Sequence, residues 1–336
     1  MQKPYIIAEV GVNHNGSFKL ATKSVIEAAK CGANAVKFQS FDADEFMSKG
    51  KEFYSYKTKN GTRKEEMYKM FKRLEFPYDW YKKLFKICKK YNVDFFSTAG
   101  NEESAYILNK LKVKFIKIAS PDLTNYPLLK YVASLGRKTI VSTGMGDAKE
   151  IDQAVRIFKR SNTPLCLLHC VSLYPTPDNE AKILRILKLR ERYKGLEIGY
   201  SDHTTNYLSA VVATAFGVNI FEKHFTLNKS LSGPDHLISS SPKEFRKYIK
   251  NIKLAKIMLG KKQIDPSKRE KLMRVPFRRS ITTKSFIKKG DIFTKKNLTL
   301  KRPQSGLHPS YFSKVIGKKS KFNLKIDHKI TKRYFK

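Results

Sequence analysis

Two successive apolar runs of this chain end in histidine: Ile198-Gly199-Tyr200-Ser201-Asp202-His203 and Ile220-Phe221-Glu222-Lys223-His224. As extended strands they alternate their side chains between two faces, so parallel neighbours would direct both imidazoles into one pocket. Neutral imidazole binds Mn, Fe, Co and Zn, and two histidines leave positions on the metal open for water and substrate. The pair therefore predicts a divalent-metal site in an enzyme, whereas either histidine alone is more simply a hydrogen-bonded strand end.

Similar runs recur along the chain, each a short apolar segment that ends in polar residues. There are eight, at residues 6–9, 35–39, 95–98, 115–120, 139–143, 165–169, 198–203 and 220–224. Between them lie segments with apolar residues at helical spacing, for example 19–31, 78–91, 102–111, 148–158 and 207–216. Eight strand-then-helix units over roughly 250 residues predict an α/β fold of the (β/α)8 TIM-barrel type. A doubly wound open sheet is the alternative, and the first run lacks the Gly-x-Gly-x-x-Gly that would favour a dinucleotide-binding fold.

The active site of such a barrel lies at the carboxyl ends of its strands. The predicted strands carry polar residues there, namely Glu9, Lys37, Gln39, Thr98, Lys117, Ser120, Ser142, Ser201, His203, Glu222 and His224. Lysines and hydroxyls suit a phosphate and a carboxylate, while a histidine pair suits a metal that polarises a carbonyl. Each residue also has a structural interpretation, such as a helix cap or a lysine lying along an apolar surface. Jointly they predict a catalytic site.

One connection is much longer than the others. Residues 41–77 follow the second predicted strand and include Phe53, Tyr54, Tyr56, Lys57, Asn60 and Gly61. A segment of this length forms either a lid over the barrel mouth or a surface excursion with little order.

The pattern changes after a last predicted helix at residues 242–259. A polar stretch follows, and from Arg279 onward brief β-like segments alternate with turns. We expect a barrel domain over residues 1–260, a linker over 261–277 and a small, mostly β domain over 278–336. A domain of about 60 residues has a thin core, so we expect it to pack against a partner.

The composition is strongly basic, with 68 Lys and Arg against 29 Asp and Glu and a net charge of +39. Such an excess is typical of proteins that bind nucleic acid or anionic membranes. The basic residues are spread over every segment instead of forming one patch with interleaved aromatics. We therefore expect neither nucleic acid nor a membrane as partner, with a basic nucleic-acid-binding protein as the alternative from another class. No apolar stretch approaches membrane-spanning length, and a cytoplasmic location is expected.

The four cysteines, Cys31, Cys88, Cys166 and Cys170, do not make a disulfide framework. Cys166, His169 and Cys170 have zinc-like spacing, but on a strand His169 points away from both thiols. Buried core thiols are the expectation.

Nine motifs are spread along nearly the whole chain. They are Ala8-Glu9-Val10-Gly11-Val12-Asn13-His14-Asn15-Gly16, Lys37-Phe38-Gln39, Lys117-Ile118-Ala119-Ser120, Ser142-Thr143-Gly144-Met145, Leu168-His169-Cys170, Tyr174-Pro175-Thr176-Pro177, Tyr200-Ser201-Asp202-His203-Thr204, Glu222-Lys223-His224-Phe225-Thr226 and Gly233-Pro234-Asp235-His236. Together they resemble the sialic acid synthases, which condense phosphoenolpyruvate with an N-acetylated aldose to give nonulosonic acids. The tail, with Lys301-Arg302-Pro303, resembles the antifreeze-like (SAF, β-clip) domain of that family.

The resemblance implies a role for each matching residue. Phosphoenolpyruvate would be bound by Lys37, Thr98, Lys117, Ser120, Ser142 and Ser201. The sugar would meet Gln39, Tyr174, Glu222, Asp235 and Arg302. Glu9 would lie near the reacting carbons, and His203 and His224 would hold the metal, usually Mn²⁺ in this family, with Mg²⁺ or Co²⁺ as alternatives. Arg302 would reach in from the small domain. Because the predicted linker is long enough to deliver it to a neighbouring protomer, we expect a homodimer whose sites are completed in trans.

Three positions depart from the family pattern. Ala99-Gly100 stands where Pro-Phe is usual, Ser172 where the sialate enzymes commonly have Asn, and Gln304 where Gly is usual. The motifs at residues 200–204 and 233–236 look more like neuraminate or legionaminate synthases than pseudaminate synthases. We expect N-acetylmannosamine or a 2,4-diacetamido-6-deoxy hexose as acceptor. Pseudaminate synthesis, or another metal-dependent aldolase or hydrolase on the same barrel, is the alternative.

Overall fold

The chain folds into two compact units, Met1–Gly260 and Lys261–Lys336. The computed structural model describes residues 3–59 and 61–335, so Asn60 of the long connection and the ends of the expected domains at residues 1, 2 and 336 lie outside the described residues.

The strands of the first unit fall into a barrel set and a hairpin. In chain order they are β1 Tyr5–Gly11, β2 Ala35–Ser40, β3 Phe53–Thr58, β4 Gly61–Glu66, β5 Asp94–Ala99, β6 Ile116–Ile118, β7 Thr139–Ser142, β8 Leu165–Cys170, β9 Glu197–Asp202 and β10 Ile220–His224. Eight of them close a parallel barrel in the order β1-β10-β9-β8-β7-β6-β5-β2, while β3 and β4 pair only with each other. The predicted TIM barrel is confirmed, and the open doubly wound sheet is wrong.

Helices surround the barrel and bury one face each. They are α1 Phe18–Cys31, α2 Ala43–Phe46, α3 Met67–Leu74, α4 Tyr78–Lys90, α5 Glu102–Lys110, α6 Tyr126–Ser134, α7 Ala148–Arg160, α8 Arg185–Arg192, α9 Leu208–Ala215 and α10 Pro242–Met258. Helix α7 shows why these segments are helical. Asp147 caps its first turn and Glu150 bonds back to the cap, while Ile151, Val155 and Phe158 recur at helical spacing on the buried side.

The long connection is ordered and packs on the barrel. Its hairpin and α3 form a small buried cluster in which Tyr56, Met70 and Leu74 contact Val12, from the segment after β1. The Arg63 guanidinium also donates to the Ser232 hydroxyl at 2.8 Å, which joins the hairpin to the loop after β10. Because these contacts are long-range and partly apolar, the segment is a folded insert, and the expectation of little order is wrong.

The second unit contains the short helices α11 Lys268–Leu272 and α12 Arg274–Phe277, strands β11 Ser280–Thr283 and β12 Leu298–Lys301, and helix α13 Phe312–Val315. Strands β11 and β12 pair antiparallel, and Ile281, Phe293, Val315 and Ile330 are among its buried core residues. The segment expected to be a linker, residues 261–277, therefore includes two helices and groups with this unit. Within residues 3–59 and 61–335, no helix is long and apolar enough to cross a membrane.

Candidate active site

Two lysines and two carboxylates lie at the carboxyl ends of β1, β2, β6 and β10, and each is at most 5% exposed. The Lys37 ammonium is 2.7 Å from Glu9 Oε2 and 3.7 Å from Glu222 Oε2. It also donates to the Thr98 hydroxyl at 3.0 Å. The Lys117 ammonium is 3.6 Å from Glu222 Oε1. Strand register brings them together, since Glu9 is the partner of Lys37, and Thr98 that of Lys117.

The two carboxyls differ in their electrostatic surroundings. Burial raises the pKa of Glu9 to about 7, although the nearby Lys37 opposes the rise. Burial acts on Glu222 in the same direction, but Lys117 and Lys37 together lower its pKa to about 2, helped by the hydrogen bond from the Ser201 hydroxyl at 2.9 Å. Glu222 is therefore the fixed anion of the cluster, and Glu9 is the group able to exchange a proton near neutral pH.

A set of small hydroxyls adjoins the lysines. The Gly144 N–H donates to the Ser120 hydroxyl at 3.0 Å. A Cβ on Gly144 would lie 2.3 Å from Ser172 Oγ and 2.7 Å from Ser120 Oγ, so only glycine lets these groups approach. The buried hydroxyls of Ser142 and Ser172 have no hydrogen-bond partner within the part of the chain that the structure describes. Buried hydroxyls with unused donors at the strand ends of the barrel are suited to an anion.

The histidine pair lies in the same mouth, with the rings of His203 and His224 centred 5.3 Å apart. His203 Nδ1 is 2.7 Å from the Val171 carbonyl, which makes Nδ1 the donor and leaves the Nε2 lone pair free. His224 Nδ1 is buried without a hydrogen bond among the described residues, 3.7 Å from Asp235 Oδ2. Burial lowers the pKa of His224 well below its usual value, so this imidazole is neutral. Burial tends to lower the pKa of His203, but the neighbouring Cys170 and the Val171 carbonyl outweigh that effect and raise it. His203 Nε2 and the unbonded Nδ1 of His224 are nitrogens that fit a divalent metal, which imidazole binds in its neutral form.

Cys170 is a site residue that the sequence analysis placed simply in the core. It is buried, as are the other three free cysteines, but its sulfur lies 3.8 Å from His203 Nδ1. Burial tends to raise the pKa of this thiol, and the neighbouring His203 and Lys117 outweigh that effect and lower it. Alternation along β8 was the available signal, because it places Cys170 on the face opposite to His169. His169 does point away from the site, with Nε2 2.8 Å from the Ala181 carbonyl.

Of these groups, Thr98 and His224 line a cavity of about 230 Å³. Its polar side is lined by Gln39, Thr98, Tyr174, His224 and Asp235, and its apolar side by Val12, Phe41, Phe46, Tyr54, Met70, Phe71 and Leu74, with Ser40, Gly100, Ala119, Pro121, Asp122 and Pro234 completing it. The Tyr174 ring lies 4.3 Å from that of His203, and Gln39 donates to Glu9 Oε1 at 3.0 Å. The cavity thus links the folded insert to His224 and to Gln39, which in turn contacts Glu9 of the charged cluster.

Two protein-family models match this chain. Residues 24–264 match the model of the NeuB family, and residues 278–332 match that of the SAF domain. The chain belongs to the NeuB family. The resemblance to the sialic acid synthases is therefore confirmed, and so is the SAF domain at the carboxyl end.

Individual relatives of this NeuB-family chain align over most of their length. An uncharacterised protein of Methanocaldococcus jannaschii is 41% identical over 318 residues, which cover 94% of this chain and 90% of that protein. The N,N'-diacetyllegionaminic acid synthase of Campylobacter jejuni is 39% identical over 335 residues, covering 98% of this chain and 99% of the relative. The crystal structure of N-acetylneuraminic acid (sialic acid) synthetase from Leptospira borgpetersenii, in complex with citrate, has a TM-score of 0.74 and 34% identity, covering 81% of this chain and 90% of that one.

A second acidic group of the NeuB-family chain lies in the insert. Asp42, Asp44 and Glu75 each offer an oxygen within 4.8 Å of the others. Lys72 bonds to Asp44 at 2.8 Å and to Glu75 at 2.9 Å, and Lys49 is 3.0 Å from Asp44. Because lysines already pair with Asp44 and Glu75, and the Asp42 carboxylate accepts from the Asp44 N–H, we interpret the group as an ion-pair network of the insert.

Of the residues predicted to act in the site, the barrel residues lie in the first unit and Arg302 lies in the second. Its guanidinium is 5.7 Å from the centre of the Phe277 ring, and its carbonyl accepts from the Lys329 ammonium at 3.0 Å. The following loop is held by the Gln304 N–H, which donates to the Val275 carbonyl at 2.8 Å. An exposed cation is thus presented on a fixed turn of the SAF domain.

Proposed function

We propose that this protein is a nonulosonic acid synthase that condenses phosphoenolpyruvate with an N-acetylated aldose and releases phosphate. The observation that carries the proposal is the pair of buried lysines, Lys37 and Lys117, in the same barrel mouth as the histidine pair. The first pair suits a small polyanion, and the second suits the metal that an aldehyde acceptor requires. The relatives named as legionaminic acid and N-acetylneuraminic acid synthases support this assignment.

The lysines and hydroxyls form the phosphoenolpyruvate half of the site. Lys37 and Lys117 neutralise the phosphate and the carboxylate, assisted by the hydroxyls of Thr98, Ser120 and Ser142. Ser201 completes this set. Charge-assisted contacts in a water-poor site are stronger than the same contacts at the surface, so the charge of the substrate is compensated before the reaction begins.

The histidine pair forms the metal half. We propose that His203 and His224 hold Mn²⁺, with Mg²⁺ or Co²⁺ as alternatives, and that the metal when bound polarises the aldehyde oxygen of the open-chain sugar. The hydrogen bond that the Val171 carbonyl accepts from His203 Nδ1 fixes the ring orientation and tautomer that such a ligand needs.

The bond-forming step joins C3 of phosphoenolpyruvate to the aldehyde carbon. Water then adds at C2, and phosphate leaves by cleavage of the C–O bond. Glu9 is the group proposed to position that water and take its proton, because its raised pKa of about 7 lets it exchange a proton near neutral pH. The hydrogen bond that Glu9 accepts from the Gln39 amide holds the carboxyl in place.

The sugar half comprises Gln39, Tyr174, Glu222 and Asp235, joined by Arg302. We propose that Arg302 enters from the SAF domain of a neighbouring copy, so that a cytoplasmic homodimer shares its two sites. The fixed turn that presents this exposed cation supports the assignment. The barrel spans residues 1–260 and the SAF domain residues 278–336 in this proposal.

The function is tested by incubating the purified protein with phosphoenolpyruvate, Mn²⁺ and a panel of N-acetylated hexoses. Phosphate release is expected only when both substrates are present, with a product mass equal to sugar plus phosphoenolpyruvate plus water minus phosphoric acid. Phosphate release without any sugar would instead indicate a hydrolase on the same barrel and would overturn the proposal.

A further inference from the structure

One wall of the active-site cavity is made of aromatic side chains from the insert. Phe41, Phe46 and Phe71, here called the aromatic wall, pack on one another with ring centroids 5.1 to 5.4 Å apart. All three line the cavity that also reaches His224 and Asp235. The three rings together form a contiguous apolar surface on the cavity, and such surfaces mark ligand-binding grooves.

The aromatic wall is held in position by contacts of the insert. Phe41 and Phe71 pack against the cluster of Tyr56, Met70 and Leu74. Phe41 lies directly against Gly100 at the end of β5, where a Cβ would come within 3.1 Å of Phe41 Cβ and 2.7 Å of the Ser40 carbonyl. The bare backbone of Gly100 therefore lets the insert begin close to the barrel mouth.

The hairpin closes the same side of the cavity. Tyr54 lines it, and burial together with the nearby Asp235 carboxylate raises the pKa of the Tyr54 hydroxyl. The bond between Arg63 and Ser232 joins the hairpin to the loop that carries Asp235. The aromatic wall and the histidine end thus belong to one enclosure with two chemically different ends.

The two chemically different ends of the cavity orient the acceptor sugar. In the proposed reaction the aldehyde carbon lies at the histidine end, so the far carbons of the chain extend toward the aromatic wall. The cavity volume of about 230 Å³ exceeds the roughly 150 Å³ of an engineered apolar cavity that holds benzene. A hydroxymethyl group against three phenyl rings would lose its hydrogen bonds to water, whereas a methyl group or the methyl of an acetamido group would be buried favourably.

We propose that the aromatic wall is a specificity element that selects an acceptor with apolar substituents at its far end, a 6-deoxy hexose with a second acetamido group, over N-acetylmannosamine. The inference rests on the proposed function and names the acceptor class for the same site. Phe46 and Phe71 are its specificity-determining residues. A single methyl or hydroxyl difference in an apolar pocket changes specificity by about 10- to 200-fold.

The test compares kcat/KM at saturating phosphoenolpyruvate for three acceptors: N-acetylmannosamine, its 6-deoxy analogue and a 2,4-diacetamido-2,4,6-trideoxy hexose of the same configuration. The unaltered protein is expected to favour the trideoxy sugar over N-acetylmannosamine by at least about 10-fold, with the 6-deoxy analogue between them. Phe46→Ala and the milder Phe71→Leu should lower that ratio severalfold through KM of the trideoxy sugar.

The matched control is Phe53→Ala, an exposed aromatic of the same insert that lies under the Lys64 ammonium and does not line the cavity. It should leave the ratio unchanged, and thermal unfolding should show that all variants are folded. A protein that uses N-acetylmannosamine equally well or better would overturn the inference while leaving the proposed function intact. Wall substitutions that lower both acceptors equally would also overturn it. If phosphate were released in the absence of every acceptor of the panel, the proposed function would be overturned, and the inference with it.

Discussion

Replacing Lys117 by Met should weaken phosphoenolpyruvate binding without disturbing the sugar or the fold. The change removes the ammonium but keeps the length of the apolar stem, so it leaves little empty space at a position that is 2% exposed. Glu222 loses one cation but keeps Lys37 at 3.7 Å and the Ser201 hydroxyl at 2.9 Å. No buried carboxylate is therefore left unpaired, and the variant should fold.

The magnitude follows from the contact that is lost. A charge-assisted hydrogen bond is worth about 1.5–3 kcal/mol. Since each 1.4 kcal/mol is a factor of ten in binding, the dissociation constant of phosphoenolpyruvate should rise roughly 10- to 150-fold. Residual affinity would come from Lys37 and the hydroxyls, so binding should be weakened and not abolished.

Calorimetric titration with phosphoenolpyruvate in the absence of sugar measures the effect, and phosphate release at saturating phosphoenolpyruvate gives KM for the sugar. Lys130→Ala is the matched control, because it removes the same charge from an exposed position of α6. If the sugar constant changed and the phosphoenolpyruvate constant did not, the assignment of Lys117 to the anion half of the site would be refuted. If Lys130→Ala weakened phosphoenolpyruvate binding equally, the loss in Lys117→Met would come from the long-range field of the basic chain and not from a direct contact.

Three further outcomes are expected. His203→Ala and His224→Ala should each abolish synthesis and lose bound metal, and near-normal turnover in metal-stripped buffer would contradict their role. Inactive His203→Ala and Arg302→Ala chains should regain part of the activity when their subunits exchange, since one barrel of the mixed dimer then receives an intact arginine; verified mixed dimers without activity would exclude sharing. Burial lowers the pKa of His14 from 6.5 to about 4, so the unfolded state binds the proton first. His14 should therefore contribute about 1.4 kcal/mol per pH unit to the fall in the free energy of unfolding as the pH drops through that window, in addition to His236, whose pKa burial also lowers to about 4. His14→Phe should flatten this slope in urea titrations, and an unchanged slope would mean that His14 is not the titrating group.

Local pattern was sufficient to predict the barrel and to place most residues of the candidate site at its strand ends. Apolar runs of strand length that alternate with helical spacing determine a (β/α)8 fold, because each strand can bury both faces only between the barrel interior and a helix. The same pattern placed Lys37, Lys117, His203 and His224 at strand ends, and parallel strands bring their carboxyl ends to one face.

Tertiary structure decided what depends on register and on distant segments. The pairing of Glu9 with Lys37 and of Glu222 with Lys117 depends on which residues lie opposite across strands, and a slip of one residue would direct each of them to the other face. The place of Cys170 beside His203 likewise follows from the packing of β8 against β9. The insert offered two interpretations in sequence because its apolar residues have no regular period. Only the folded barrel mouth supplies the surface on which they become the aromatic wall.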